Sequence, residues 1–168
     1  MLHSISTMRG FKHALVIVAA LGVAACSKSP EDNIAGIGLN NTQNATPGSP
    51  QDFVVNVGDR VLFDTDSSQI NAQGRQILDR QAQWLLQYKN YSFTLEGHAD
   101  ERGTREYNIA LGARRATAAK NYLVSRGVDA SRMKTISFGK ERPVAVCNDI
   151  SCWSQNRRSV TVLAGAGS

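Results

Sequence analysis

The spacing of apolar residues divides the chain after residue 52 into strands and helices. Short runs rich in β-branched and aromatic residues predict strands at Phe53–Val57 and Arg60–Phe63. Strict alternation of apolar and polar residues predicts a third strand at Tyr91–Glu96. Two more are predicted near the carboxyl end, at Met133–Phe138 and Ser159–Leu163.

Two longer segments repeat apolar residues with the period of a helix. The first runs from about Asn71 to Tyr88 and the second from about Thr104 to Arg126, where Gly127 favours a stop because glycine adopts the left-handed conformation easily. The first apolar face consists of Ile77, Leu78, Ala82, Leu85 and Tyr88; the second consists of Ile109, Ala113, Ala116, Leu123 and Val124. Residues 139–156 carry neither pattern and are predicted to be mostly loop.

The order of these elements predicts the fold class. Strands alternating with two helices indicate an α/β (α+β) two-layer sandwich, with a small mixed β-sheet and two main helices on one face. The last two strands have no predicted helix between them that would force a parallel crossover, so the sheet is expected to be mixed. Residues 53–168 are long enough for one domain with its own core.

The first 25 residues predict an export signal rather than part of the fold. Arg9 and Lys12 precede an apolar stretch at residues 14–25, which is shorter than the roughly 20 residues that span a bilayer. Val23-Ala24-Ala25 then leads directly into Cys26, a pattern that resembles the bacterial lipobox, in which the cysteine is acylated. The alternative is a soluble periplasmic protein in which Cys26 is incidental.

Residues 26–52 have the composition of a flexible linker, rich in Asn, Gly, Ser, Pro and Thr. Several acyl chains on Cys26 would anchor this linker firmly to a membrane. By resemblance to the sorting of Gram-negative lipoproteins, Ser27 after the cysteine favours the outer membrane. The sequence therefore predicts a folded domain in the periplasm on a lipid-anchored tether.

Charge excludes one class of partner. The chain has 19 basic and 14 acidic residues, and removal of the signal leaves 17 basic residues and a net charge of +3. This excess is too small and too evenly mixed to predict nucleic-acid binding. No motif predicts a cofactor.

Two cysteines lie close together in the exported part, Cys147 and Cys152. An oxidising compartment favours a disulfide between them if the chain turns at Asn148-Asp149. Free thiols and a zinc site are the alternatives, although two cysteines without a nearby histidine fall short of four zinc ligands. All three possibilities remain open from the sequence.

Candidate chemistry concentrates after the third predicted strand. Asp100 follows the strand end, while Asn108, Leu111 and Arg115 share one face of the next helix. The spacing indicates a pocket with an acid on one side and a guanidinium on the other, or else a surface ion pair of Asp100 with Arg115. His98 is interpreted as a packing or pocket residue, because a His-x-Asp pair is too small for a metal or acid–base site.

These residues lie in a recognisable motif. Residues 95–116, LEGHADERGTREYNIALGARRA, resemble the signature of the OmpA-like peptidoglycan-binding domains, and more narrowly that of the peptidoglycan-associated lipoproteins. The resemblance extends in order from Phe53 to Leu163. Its supporting segments are Phe63-Asp64-Thr65-Asp66, Gly127-Val128, Ser137-Phe138-Gly139-Lys140-Glu141-Arg142-Pro143 and Asn156-Arg157-Arg158.

The resemblance implies binding of the peptide stem of peptidoglycan, with meso-diaminopimelate as the discriminating residue. That residue carries an ammonium and a carboxylate on one stereocentre, which would suit Asp100 and Arg115 respectively. The remaining residues implied at or near the pocket are Asn108 (positioning the loop), Phe63, Asp64 and Leu111 (lining the groove), His98 and Arg157. Many relatives have a second aromatic residue where this chain has Thr65.

The resemblance also implies a non-enzymatic lipoprotein of the outer membrane that tethers it to the cell wall. Family partners are TolB and TolA of the Tol-Pal system, which supports envelope integrity and outer-membrane constriction during cell division. One alternative is an OmpA-like domain of another envelope complex. Another is a peptidoglycan amidase or hydrolase, but the sequence lacks a recognisable nucleophile–base pair, carboxylate pair or metal set.

Overall fold

The computed structural model describes residues 45–164 of the 168-residue chain. The predicted signal segment, Cys26 and the linker up to residue 44 lie outside this range. No helix within residues 45–164 combines the length and hydrophobicity needed to cross a bilayer. One hydrophobic cluster, which includes Leu78, Leu95 and Leu123, forms the core.

The centre of the fold is a four-stranded mixed sheet. Its strands are β1 (Arg60–Leu62), β2 (Phe93–His98), β3 (Met133–Gly139) and β4 (Arg158–Leu163), in the spatial order β1-β4-β2-β3. Strand β4 runs antiparallel to both β1 and β2, whereas β2 and β3 are parallel. A parallel pair needs a long crossover, which the helix between β2 and β3 provides. The predicted α/β class with a mixed sheet is confirmed.

The helices are α1 (Pro50–Asp52), α2 (Ala72–Gln87), α3 (Arg105–Ser125) and α4 (Ile150–Asn156). Both long helices begin at the predicted places because a side chain caps each one: Asn71 accepts from a backbone N–H of α2, and Thr104 does the same for α3. They cover the sheet face on which alternate residues of β2 and β4 are buried. A hydrogen bond of 2.8 Å from the Thr161 hydroxyl to Gln81 ties β4 to α2.

The segment predicted as the first strand is helical instead. Residues Phe53–Gly58 form a π-helical turn that continues α1. The β-branched valines favour a strand locally, but Pro50 and the Ser49 cap start a helix just before them. Phe53 is fully buried, and its ring centroid lies 4.9 Å from that of Trp84, so tertiary packing outweighs the local preference.

The folded unit begins before Phe53, the boundary expected from the sequence. The carbonyl of Gly48 accepts a 2.9 Å hydrogen bond from the Tyr91 hydroxyl. The Asp52 carboxylate accepts from the Gly48 N–H at 2.9 Å and from the Trp84 indole at 2.8 Å. Residues 48–52, assigned to the flexible linker from composition, are therefore attached to the domain at the start of β2.

The buried face of α3 differs from the predicted apolar stripe. Ala113 and Val124, predicted to be core residues, are exposed. The buried residues are Asn108, Leu111, Gly112, Arg115, Ala116, Ala119 and Leu123. The prediction was wrong for Ala113 and Val124 because it used hydrophobicity alone. The observed face also buries the amide of Asn108 and the guanidinium of Arg115, which donate to backbone carbonyls.

Helix α3 and strand β2 approach closely at two glycines. A Cβ on Gly97 would overlap the carbonyl of Gly112, and a Cβ on Gly112 would lie only 2.8 Å from the Gly97 oxygen. Any larger residue at either position must push the helix away from the sheet. This contact therefore sets where Asn108 and Arg115, on the same helix, meet the end of β2.

We predict that Gly97→Ala lowers the free energy of unfolding by about 2–3 kcal/mol, because the added methyl overpacks the interface between helix and sheet. Urea denaturation followed by circular dichroism measures the change. Gly127→Ala is the control: its φ is +91° but no atom lies within 4 Å, so only backbone strain of about 1 kcal/mol is expected. If both variants lost the same free energy of unfolding, the close contact of Gly97 with Gly112 would not limit the size of the residue at position 97.

Candidate functional site

A charged pocket of about 270 Å³ opens where β2 ends. It lies between the loop after β2, the first turns of α3 and the loop after β1. Its lining residues are Thr65, Asp66, Asp100, Arg102, Gly103, Tyr107, Asn108 and Leu111. The structure thus brings Asp100, Asn108 and Leu111, three of the residues singled out from the sequence, to one pocket.

Asp100 is the acid of this pocket, and its side chain is mostly buried. Arg102 binds it with a fork: Nε lies 3.0 Å from Oδ1 and Nη2 lies 2.8 Å from Oδ2. Burial acts to raise the pKa of Asp100, but the hydrogen bonds from Arg102 and Arg157 outweigh burial and leave this pKa below its usual value. Asp100 is therefore a carboxylate at neutral pH.

Arg157 contacts the same carboxylate from inside the protein. Its Nη1 lies 3.4 Å from Oδ2 of Asp100, and both side chains are less than a tenth exposed. Its Nε donates to the carbonyl of Phe63 at 3.0 Å. Arg157, predicted near the pocket, thus lies behind Asp100 as a buried counter-ion and does not line the pocket.

Arg115 occupies a different place from the one the sequence suggested. Its side chain is fully buried, and three of its nitrogens donate to backbone carbonyls: Nε to Ser67 at 2.8 Å, Nη1 to His98 at 2.8 Å and Nη2 to Asp64 at 3.2 Å. It neither lines the pocket nor pairs with Asp100 in the described part of the chain. Burial, followed by repulsion from Arg157, lowers the pKa of Arg115 to about 10, so it stays cationic at neutral pH.

The loop after β1 forms the opposite wall. Phe63 is buried beneath it, and the exposed Asp64 uses its carbonyl to bind Arg115. Phe63 and Asp64 were expected to line the groove, but the next two residues, Thr65 and Asp66, line the pocket instead. Asp66 has a positive φ of 55°, and its carboxylate accepts a hydrogen bond from the Tyr107 hydroxyl, which joins this loop to α3.

His98 does not line the pocket. Its side chain is 1% exposed, and its ring stacks on Phe138 at a centroid distance of 5.5 Å. Burial, together with the positive charges of Arg158 and Arg142, lowers the pKa of His98 to about 4. The imidazole is therefore neutral at pH 7, and Glu96, 3.5 Å from its Nε2, forms no ion pair with it at that pH.

Asn108 holds the loop that carries the pocket charges. Its amide donates to the carbonyl of Arg102 at 2.7 Å. The Lys140 ammonium binds the same loop from the other side, at the carbonyls of Glu101 (3.1 Å) and Gly103 (2.7 Å). These bonds fix the backbone of Arg102 and leave its side chain, 41% exposed, at the pocket mouth.

Helix α4 supports Arg102 from outside, although the sequence predicted mostly loop here. The guanidinium carbon of Arg102 lies 4.3 Å from the Trp153 ring centroid, and the indole N–H donates to Glu101 at 3.1 Å. A disulfide joins Cys147 to Cys152 at the start of this helix, which leaves neither sulfur available as a thiolate ligand. No cluster of three metal-binding side chains occurs within residues 45–164.

Four residues of this arrangement were not predicted from the sequence: Asp66, Arg102, Tyr107 and Trp153. Arg102 and Tyr107 lie inside the recognised motif, but Arg102 is in a loop without a periodic pattern, and Tyr107 lies in the first turn of α3 outside the predicted apolar face. Trp153 is 51 positions from Arg102 along the chain, so only the folded sheet reveals their contact.

Comparison with known proteins gives consistent results. The pattern of the OmpA family matches residues 62–157. The peptidoglycan-associated lipoprotein of Mesorhizobium japonicum is 66% identical over 155 residues, which cover 92% of each chain. The crystal structure of the peptidoglycan-associated lipoprotein from Burkholderia pseudomallei has a TM-score of 0.64 and 38% identity, and covers 68% of this chain and 99% of that one.

A more distant structure shares the fold alone. The C-terminal domain of Helicobacter pylori MotB has a TM-score of 0.58 and 22% identity. The match covers 63% of this chain and 84% of that one.

We predict that Arg115→Ala lowers the free energy of unfolding by about 3 kcal/mol or more, because it leaves buried carbonyls without donors and opens a cavity. Arg114→Ala is the matched control on the next position of α3, where the side chain is exposed. Its effect should stay within about 0.5 kcal/mol. Urea denaturation measures the free energy of unfolding of both variants. Similar values would show that the hydrogen bonds of Arg115 do not stabilise the fold.

We also predict that His98 makes the fold sensitive to acid. Its pKa is 6.5 when unfolded and about 4 when folded, so the unfolded state binds the proton more readily. Stability should be fully present above pH 6.5 and fall between pH 6.5 and 4, by about 3 kcal/mol at most. His98→Phe keeps the stacking on Phe138 but cannot take up a proton. When Tm is measured against pH, this variant should therefore lose less stability than the parent between pH 6.5 and 4. Parallel curves for the two proteins would contradict the prediction.

Proposed function

Because this chain belongs to the OmpA family and, within it, to the peptidoglycan-associated lipoproteins, we propose that it binds peptidoglycan noncovalently through the pocket at the end of β2. The chemical group bound would be the meso-diaminopimelate of the peptide stem. Acyl chains on Cys26 would hold the other end of the protein in the outer membrane. The protein would then tether this membrane to the cell wall, with its folded domain in the periplasm.

The observation that carries this proposal is the paired charge at the pocket. Asp100 is an ionised, mostly buried carboxylate at the pocket wall, and Arg102 presents a half-exposed guanidinium beside it. The free stereocentre of meso-diaminopimelate offers an ammonium and a carboxylate, so both charges of the pocket would have an opposite partner on the ligand. Ion pairs of this kind, formed with hydrogen bonds, are about twice as strong as neutral hydrogen bonds.

The pocket supports binding rather than catalysis. Its lining residues offer a threonine and a tyrosine hydroxyl but no histidine or cysteine, and His98 is neutral and buried elsewhere. The Tyr107 hydroxyl is already engaged by Asp66. The relatives are named as wall-associated lipoproteins and not as enzymes. An amidase or hydrolase activity is therefore the weaker candidate.

Family membership also leads us to propose the partners. In the Tol-Pal system, TolB would bind the domain in the periplasm and TolA would connect it to the inner membrane. The tether would then support envelope integrity and the constriction of the outer membrane during cell division. Identity of 66% to a peptidoglycan-associated lipoprotein along 92% of the chain favours this role over that of an OmpA-like domain in another envelope complex.

Co-sedimentation with purified cell walls tests the proposal. A soluble form starting at Ser27 should be retained by walls containing meso-diaminopimelate and not by walls of the lysine type. Asp100→Asn should reduce retention at least about tenfold, since the ammonium loses its charged partner. Asp129→Asn is the matched control and should behave like the parent, because Asp129 is exposed and caps the short 3-10 turn Ala130–Arg132 away from the pocket lining. Equal retention of the two variants, or release of soluble muropeptides, would contradict the proposal.

A further inference from the structure

Helix α4 carries Trp153 to the pocket mouth but is too short to be stable by itself. It has seven residues, and helices of fewer than about 12 residues are marginal in water without tertiary contacts. Its buried residues are Cys152 and Asn156, while Ile150 is 61% exposed. The helix therefore depends on the bonds that attach it to neighbouring segments.

The two ends of α4 are attached in different ways. At the carboxyl end, the Asn156 side chain accepts from two backbone N–H groups and donates to the Ala145 carbonyl at 2.8 Å, and β4 begins two residues later. At the amino end, Asp149 caps the helix and a disulfide joins Cys152 to Cys147. The disulfide is thus the covalent cross-link that secures the amino end.

A short helix held in this way loses order at one end when its cross-link opens. The two cysteines are five positions apart, and the segment between them includes the first turn of α4. In the chain-entropy model, closing even a loop of this length disfavours the open state by about tenfold or more. Reduction should therefore let the amino end of α4 unwind, while Asn156 keeps the carboxyl end in place.

Unwinding of α4 would reach the pocket through Trp153, the residue after Cys152. Its ring centroid lies 4.3 Å from the guanidinium carbon of Arg102, and its indole N–H donates to Glu101 at 3.1 Å. Asn108 also holds the backbone of this loop, so the loop would stay in place but the Arg102 side chain would lose one of its fixed contacts. A side chain that must be ordered again when a ligand binds weakens the affinity.

The disulfide is accessible from the side of Cys147. This residue is half-buried in a loop whose neighbours are exposed, Val146 by 86%, whereas Cys152 is 8% exposed. Since thiol–disulfide exchange depends on access, an external thiolate would attack the sulfur of Cys147. The bond between the two sulfurs breaks, a mixed disulfide forms on Cys147, and Cys152 leaves as a thiolate that takes up a proton.

A reductant with two thiols completes the reaction. Its second sulfur, as a thiolate, attacks its first, which closes a disulfide within the reductant and releases Cys147. The two protons lost by the dithiol are then on Cys147 and Cys152, and two electrons have passed from the dithiol to the protein. The core need not open, because Cys152 is buried but lies outside the hydrophobic cluster of residues 45–164.

We propose that Cys147–Cys152 is a redox-sensitive site: a dithiol reductant opens the disulfide, the amino end of α4 unwinds, and the protein then binds the cell wall less tightly. The last of these steps rests on the proposed function. In the oxidised state, α4 keeps Trp153 against Arg102 at the pocket mouth. In the reduced state, this support is lost while the core remains folded.

Hydrogen exchange followed by mass spectrometry tests the opening of α4 without any ligand. The soluble form starting at Ser27 contains Cys147 and Cys152 as its only cysteines, so dithiothreitol acts on this bond alone. After reduction under native conditions, the amides of α4 should exchange at least about tenfold faster, and those of α2 should be unchanged. Alkylation of a parallel sample confirms that both thiols are free. The double variant Cys147→Ser, Cys152→Ala should match the reduced parent and not respond to dithiothreitol.

Co-sedimentation with cell walls tests the effect on binding. Reduction should lower the retention of the parent by about threefold or more. Trp153→Ala keeps the disulfide but removes the contact with Arg102, so it should be retained as weakly as the reduced parent and should not respond to dithiothreitol. Ile150→Ala is the matched control, because Ile150 is an exposed apolar residue of the same helix, and it should respond to reduction as the parent does.

The outcomes distinguish this inference from the proposed function. If dithiothreitol leaves the bond intact, or if the amides of the reduced helix exchange no faster, the redox-sensitive site is refuted whatever the walls retain. If the helix opens but retention is unchanged, the link from α4 to the pocket is refuted. If the oxidised parent is not retained by walls at all, the proposed function fails together with the last step, whereas faster exchange after reduction would still support the opening of α4.

Discussion

The pocket depends on one buried guanidinium, that of Arg115. It donates to the carbonyl at the end of β2 and to two carbonyls of the loop after β1, and its own backbone belongs to α3. Three separate parts of the chain therefore meet at one side chain. A glutamine amide has only two N–H donors for these three carbonyls, and a lysine would lack the planar set of donors that reaches all three. The charge is kept inside the protein because it organises the backbone around the site.

Two further arginines surround Asp100, and the three cations have separate tasks. Arg115 positions the backbone, Arg157 neutralises the carboxylate from within, and Arg102 covers it from the solvent side. Burial, and after it the nearby positive charge of Arg157, lowers the pKa of Arg115, which is the electrostatic cost of placing these cations inside the protein. Asp100 is consequently an anion surrounded by cations, and the second carboxylate at the pocket, that of Asp66, accepts from the Tyr107 hydroxyl. Such an arrangement suits a ligand that is itself a pair of opposite charges.

Much of the fold could be predicted from the sequence, because α2, α3 and β2 have long periodic patterns and clear caps at Asn71 and Thr104. Secondary structure was predicted wrongly where the apolar pattern was short or where tertiary packing determined the conformation. The valines before Gly58 resemble a strand, but Phe53 packs on Trp84 as part of a helical turn. The acid of the site was found from its motif. The spacing also places Arg115 on the expected helix face, but it does not reveal that backbone carbonyls accept its hydrogen bonds.

The attachment of Gly48 to Tyr91 has a mechanical consequence. In the proposed tether, the linker would enter the domain at Gly48, beside the start of β2, and the pocket lies at the other end of this six-residue strand, about 17 Å away. A pull between these two points would pass along the backbone through α1 into β1, and from there through β4 into β2, which is hydrogen-bonded on both sides by β3 and β4. Load in that direction shears all of these bonds together instead of opening them one at a time. Under the proposed function, the central strands of the sheet would therefore bear the load between the linker and the pocket.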